Sequence, residues 1–162
     1  MPQPKKNRHS GYRLYTPAER ARRDATVWTT IQAILAPLQF FVFLVSLCLV
    51  MRYFVTGDGY WVATISVILK TGFLYAIMVT GSMWEKVVFG RWLFAPAFFW
   101  EDVFSFLVIA LHTAYILAIT YGWTTPAGEM RIALAAYFAY VINAGQFLWK
   151  LRLARLSERV PA

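Results

Sequence analysis

Four apolar runs, Ile31 to Met51, Tyr60 to Met83, Val103 to Tyr121 and Ile132 to Trp149, constrain this chain more than any other feature. Each is close to the roughly 20 residues that carry an α-helix across a bilayer core about 30 Å thick. Inside lipid the backbone finds no water, so its hydrogen bonds must close within each run, and a helix does that. With 59% apolar and only 15% charged residues, the chain lacks the polar surface of a soluble domain. The expected fold is all-α, an integral membrane four-helix bundle forming a single membrane domain over residues 1–162.

The charges orient that bundle. Lys5, Lys6, Arg8, Arg13, Arg20, Arg22 and Arg23 precede the first run, Lys86 and Arg91 lie between the second and third, and Lys150, Arg152, Arg155 and Arg159 follow the fourth. Thirteen of the 16 Lys and Arg residues thus fall on one side, against Arg52 and Arg131 on the other, with Lys70 inside the membrane. Basic loops stay cytoplasmic, which places both termini and the Ser82 to Asp102 connection there. The net charge of +8 then reads as topology and attraction to anionic membrane lipid rather than to nucleic acid. Trp28, Trp84, Trp92, Trp100 and Trp149 near one interface and Tyr53, Tyr60, Trp61, Tyr121 and Trp123 near the other form the expected aromatic belts.

Residues 1–24 read as a basic cytoplasmic arm, flexible from Met1 to about Gly11. Within it Thr16-Pro-Ala-Glu19 has the residues of a capping box with proline at the first helical position, so a short basic amphipathic helix starts at Pro17. Residues 150–162 read as a basic tail. The first apolar run begins after about 30 polar and basic residues and has no small-residue cleavage site, so it is expected to remain in the mature protein. Cys48 stands alone in an apolar run and can form neither a disulfide nor a thiolate metal site within one chain. The sequence has no internal repeat, phosphate-binding glycine loop, zinc-ligand spacing or nucleophile elbow. Activity must therefore come from side chains inside the bundle and at its cytoplasmic mouth.

Three acids gather at that mouth. Glu85 lies just past the second run and Glu101 and Asp102 just before the third, and all stand among Trp84, Phe99 and Trp100. They fit two readings: caps that favour the positive end of a helix, or a buried acid and base held at different protonation states. Glu101, Ser105, Val108, His112 and Tyr115 are spaced to share one helical face, which should point into the bundle because polar groups avoid lipid. His112 is then a hydrogen-bonded core histidine, a metal ligand or a proton donor. Lys70 lies about halfway across the second run, and such a lysine is either paired structurally, for instance to Asn143 or a carbonyl, or functional. Gln32, Gln39, Asn143 and Gln146 read as interhelical glue or as groups that orient a ligand. The aromatic and charged lining suits a large, planar, partly charged ligand.

The runs Leu14 to Trp28, Val79 to Arg91, Leu93-Phe-Ala-Pro-Ala-Phe-Phe-Trp-Glu-Asp-Val-Phe104 and Tyr140-Val-Ile-Asn-Ala-Gly-Gln-Phe-Leu148 closely resemble the 2-vinyl bacteriochlorophyllide hydratase family, across most of Leu14 to Leu156. The resemblance implies a lyase that adds water across the 3-vinyl group of chlorophyllide a or a bacteriochlorophyllide to give a 3-(1-hydroxyethyl) product. It implies no redox change and no cofactor, since the magnesium belongs to the pigment, and a home in the bacterial inner or intracytoplasmic photosynthetic membrane. One acid, one base and a water suffice. Glu101 or Glu85 is expected as the acid and Asp102 or His112 as the base, with His112 alternatively an axial ligand to the substrate magnesium. Trp84, Phe99 and Trp100 would hold the ring, Lys86 or Arg91 would pair with its propionate, and Lys70 and Asn143 would line the site. Other bacteriochlorophyll-synthesis enzymes and further copies of the chain are admissible partners. Rival readings are a non-catalytic carrier of a pigment or quinone and a structural subunit of a photosynthetic assembly.

Reporter fusions after Ala162 and within Gly57 to Gly59 should report opposite compartments. Equal readings at the two positions would overturn the expected topology.

Overall fold

The computed structural model describes residues 14–158. The stretch expected to be flexible, Met1 to about Gly11, lies outside the described residues, as do Lys5, Lys6, Arg8, Arg13 and Arg159. Five α-helices follow one another: α1 (Pro17–Ala25), α2 (Val27–Thr56), α3 (Tyr60–Phe89), α4 (Phe99–Tyr121) and α5 (Pro126–Glu158). There is no strand among the described residues. The last four helices are each long and apolar enough to cross a membrane. Each expected run lies inside one of them, but the helices run further. At 1.5 Å per residue, the 30 residues of α2 and of α3 reach about 45 Å, well past a core of about 30 Å. The helical ends therefore replace what the apolar runs left as connection and tail. α5 continues to Glu158, and the link between α3 and α4 shortens to residues 90–98.

Local chemistry sets these boundaries. Thr16 accepts from the Glu19 amide at 3.3 Å and its own amide donates to the Glu19 carboxylate at 2.7 Å, the reciprocal capping box that starts α1. At Thr26 the backbone turns extended (φ −89°, ψ 137°), which ends α1 and starts α2. Gly57, Gly90 and Gly122 end α2, α3 and α4 in the left-handed conformation that a side chain would oppose. Gly128 is needed for space instead, because a Cβ there would meet the Thr124 hydroxyl at 2.1 Å.

α2 packs mainly on α3 and α4 mainly on α5, giving two antiparallel hairpins that meet along narrower seams. Small residues on α5, Ala133 and Ala139, are buried in one core with Phe43 of α2, Val67 and Leu74 of α3, Val108 of α4 and Tyr137. Close approach through small residues is how helices gain packing in lipid, where no hydrophobic force drives them together. Gly145 does not take part in it, since a Cβ there would face open space. Polar pairs tie the helices together: within the hairpins Gln32 Nε2 donates to Thr80 Oγ1 at 2.7 Å and Asn143 Nδ2 to Ser105 Oγ at 2.9 Å, while Tyr75 and Thr113 bond at 2.7 Å between α3 and α4. Outward positions such as Phe41, Ile65, Phe138 and Cys48 are exposed on the sides of the bundle, where an apolar surface contacts lipid rather than water.

A second core closes one end. Leu14, Tyr15, Val88, Phe98 and Ala154 are buried together, with Trp84, Phe89 and Phe147 packed on them. Arg22 Nε donates to the Val88 carbonyl at 2.8 Å and holds α1 against the end of α3. Lys150 closes the same end from α5, with its ammonium 2.8 Å from the Glu101 carboxylate and also bonded to the Ala97 carbonyl. Both charged side chains are mostly buried, 15% and 7% exposed. Lys150→Ala would leave Glu101 buried and unpaired, which costs about 3–5 kcal/mol. Thermal unfolding in detergent should show that loss, and Lys150→Arg or the double change of Lys150→Met with Glu101→Gln should recover most of it.

Candidate functional site

The three acids converge at the end of the bundle that carries α1. Glu85 comes from the last turns of α3, and Glu101 and Asp102 from the first turn of α4. All three are buried, at 5%, 6% and 3% exposure. Their partners divide them. Glu101 is the anion of the Lys150 ion pair. The side chains of Glu85 and Asp102 adjoin each other across the two helices. Each also accepts one backbone amide from the link that wraps them: Ala95 N–H to Glu85 at 3.1 Å and Phe94 N–H to Asp102 at 2.7 Å. The link turns back on itself here, with Ala95 fully buried.

The aromatic residues separate into inward and outward groups. Trp84 belongs to the end core: its indole N–H donates to Thr29 Oγ1 at 2.9 Å, and its ring meets Phe98 edge-on at 5.6 Å. Phe99 and Trp100 face outward, as do Trp92, Phe94 and Phe106. Lys86 is exposed, donates to the Gly90 carbonyl at 3.1 Å and stands 5.7 Å from the Trp92 ring centre. Arg91 is exposed beside it.

A second group lies deeper. Glu101, Ser105, Val108, His112 and Tyr115 are all buried along α4. His112 Nδ1 lies 2.8 Å from the Val108 carbonyl, which can only accept, so Nδ1 carries a hydrogen. Nε2 of the same ring is buried with no hydrogen-bond partner. Lys70 is likewise fully buried, its ammonium 3.8 Å over the Tyr140 ring centre. It bonds neither Asn143 nor a carbonyl, since Nζ has no hydrogen-bond partner. Asn143 instead serves Ser105 through its amide nitrogen, while its Oδ1 has no hydrogen-bond partner. Lys70 and His112 lie within electrostatic reach of each other, but the acid pair sits at the other end of the Ser105 face, more than two helical turns from His112. Among the described residues no three His, Cys, Asp or Glu side chains converge as metal ligands.

Two residues gain importance that sequence reasoning did not give them. Lys150 reads as a tail cation, yet it lies seven residues after Asn143, two turns along the same helical face, and that spacing was the available signal. Phe94 gives no such signal, because its role depends on a left-handed backbone, φ +58°, found in no other described residue except glycines.

The family model for 2-vinyl bacteriochlorophyllide hydratase matches residues 15–153. A relative of that name from Cereibacter sphaeroides is 68% identical over 146 residues, covering 90% of this chain and 90% of its own length. Another of that name from Rhodobacter capsulatus is 69% identical over 144 residues, 89% of this chain and 84% of its own. No solved structure matches the chain.

A buried ammonium held only by a ring face is costly, since desolvation outweighs a cation–π contact of about 2 kcal/mol. Lys70→Met should therefore raise the unfolding temperature in detergent, whereas Lys70→Ala should lower it by opening a cavity. A fall for the Met variant would show that the ammonium has a stabilising partner.

Proposed function

The chain belongs to the 2-vinyl bacteriochlorophyllide hydratase family, and on that premise we propose that the Glu85–Asp102 pair supplies and recovers the proton. The protein is a hydro-lyase of bacteriochlorophyll biosynthesis acting on a tetrapyrrole, and it is a multi-pass membrane protein by its four apolar helices. The observation that supports the assignment is the meeting of two buried carboxyl groups from different helices. Two such groups cannot both stay ionised at close range, so one proton is shared between them. Glu101, neutralised by Lys150, is poorly suited to give up a proton and remains a fixed anion nearby.

In this mechanism the shared proton goes to the terminal vinyl carbon. The C=C π electrons form the new C–H bond, and the carbon attached to the ring becomes a cation that the macrocycle delocalises. The acid pair is now doubly ionised and, with Glu101, places negative charge beside that cation, the differential stabilisation that catalysis requires. Water adds to the cationic carbon and returns one proton to the pair, so the cycle consumes one water and nothing else. The amides of Phe94 and Ala95, already donating to Asp102 and Glu85, support the doubly ionised state. Because the net change is redox-neutral, an acid, a base and water suffice with no cofactor of the protein's own. Phe99 and Trp100 would contact the ring, and Lys86 or Arg91, exposed at this end, would take the propionate. The site would face the cytoplasm, on the side of both termini, in the bacterial inner or photosynthetic membrane.

Purified protein should hydrate chlorophyllide a, and Glu85→Gln or Asp102→Asn should lower turnover about 10²-fold or more while pigment binding survives. Near wild-type turnover in both amide variants would rule out the pair and leave His112 as donor. Pigment binding without any turnover by the wild-type protein would favour a carrier instead.

A further inference from the structure

We propose that Phe94 is a substrate-binding residue: its ring, held outward by a strained backbone, forms with Phe99 and Phe106 the platform on which the flat macrocycle lies. At φ +58° Phe94 adopts a conformation that bulky residues rarely take and that glycine takes freely. Such strain persists only where surrounding structure enforces it, and it gathers where chains bind or react. The Asp102 carboxylate enforces it here by accepting the Phe94 amide at 2.7 Å.

Core packing does not account for the cost. The Phe94 ring remains 37% exposed, on the outside of the bundle rather than in the end core formed by Phe98. It stacks on Phe106 at 5.5 Å with planes 10° apart, and meets Phe99 at 5.7 Å. Phe99 and Phe106 are themselves exposed on α4, so the three rings make one aromatic surface that begins at the backbone amide bound to Asp102. Lipid tails would be satisfied by any apolar side chain here, and would not require phenylalanine where glycine is the relaxed choice. A rigid aromatic plane does require flat partners, which gain from offset stacking beyond simple burial.

The occupant is the tetrapyrrole macrocycle, and this rests on the reading that the reaction takes place at Glu85 and Asp102. A ring lying on the platform has its edge at the Phe94 backbone and hence at Asp102. The same bond therefore couples the binding surface to the proposed acid pair: Asp102 holds the residue that positions the substrate. Phe94 is the contact residue, while Phe106, one turn beyond Asp102, backs its ring.

The test compares Phe94→Gly and Phe94→Tyr with wild type in lipid nanodiscs, using chlorophyllide a as probe. Replacement by glycine removes the strain, so the unfolding temperature should stay level or rise, while Kd and KM for the pigment should weaken about tenfold or more. Phe94→Tyr keeps the plane and should bind within about twofold of wild type. Binding by the glycine variant as tight as wild type would overturn the platform. So would a marked fall in its unfolding temperature, which would make the ring structural, or a tyrosine variant as weak as the glycine one. Glu85→Gln, measured alongside, separates the two readings: lost turnover with intact binding belongs to the acid pair. Should both amide variants keep turnover while Phe94→Gly still binds weakly, the platform stands and the acid-pair reading falls.

Discussion

Two carboxyl groups gripping the backbone of one short link hold this protein's halves in register. The hairpin of α2 and α3 and the hairpin of α4 and α5 are each well packed internally, but α3 and α4 touch over a limited seam. Glu85 reaches from α3 to the Ala95 amide, and Asp102 reaches from α4 to the Phe94 amide. A link that would otherwise present unbonded amides near lipid is thereby satisfied. The same bonds bury the carboxyl groups, bring them together and turn the Phe94 ring outward. Closing the fold at this point and assembling the acid pair are one event.

Charge at this end is divided by pairing rather than by residue type. Glu101 has a lysine and Glu85 has another carboxyl group, so three chemically similar acids acquire different surroundings and, in the proposed mechanism, different work. A fixed anion beside a proton-sharing pair suits a reaction whose intermediate is a delocalised cation, because negative charge is in place before positive charge develops. The interior group of Lys70 with Tyr140 and His112 with Tyr137 stands apart from this division. Along α4, Ser105 with its Asn143 bond and the fully buried Val108 come between the acids and His112.

Much of the architecture was legible because lipid simplifies the code: length and hydropathy identify spans, and Thr16 with Glu19 marks the start of α1 in four residues. The buried face of α4 was legible too, since the positions of Glu101, Ser105, His112 and Tyr115 repeat with helical spacing. Pairing between distant segments was harder to read. Nothing in the sequence near Lys150 names Glu101 as its partner, and nothing near Trp84 says that Thr29 will accept from it and turn it into the core. The hydropathy of an aromatic residue is the same whether it faces inward, as Phe98 does, or outward, as Phe99 does. The strained conformation of Phe94 was the least accessible, because it follows from a bond eight residues away and contradicts the local preference of the residue itself.

The hairpin organisation bears on how the chain is made. A turn of three residues, Gly57 to Gly59, separates α2 from α3, so these helices can pair as soon as both have left the ribosome, with contacts that are local in sequence. Synthesis at roughly 5–20 residues per second then leaves an interval of seconds during which Glu85 is in place but Asp102 and the amides of the link are not. During that interval the nascent first hairpin presents an unmatched acid at the membrane surface, where water and lipid headgroups can still solvate it. Arrival of the second hairpin withdraws that acid from solvent, so the last long-range step of biogenesis also assembles the carboxyl pair proposed to carry the reaction.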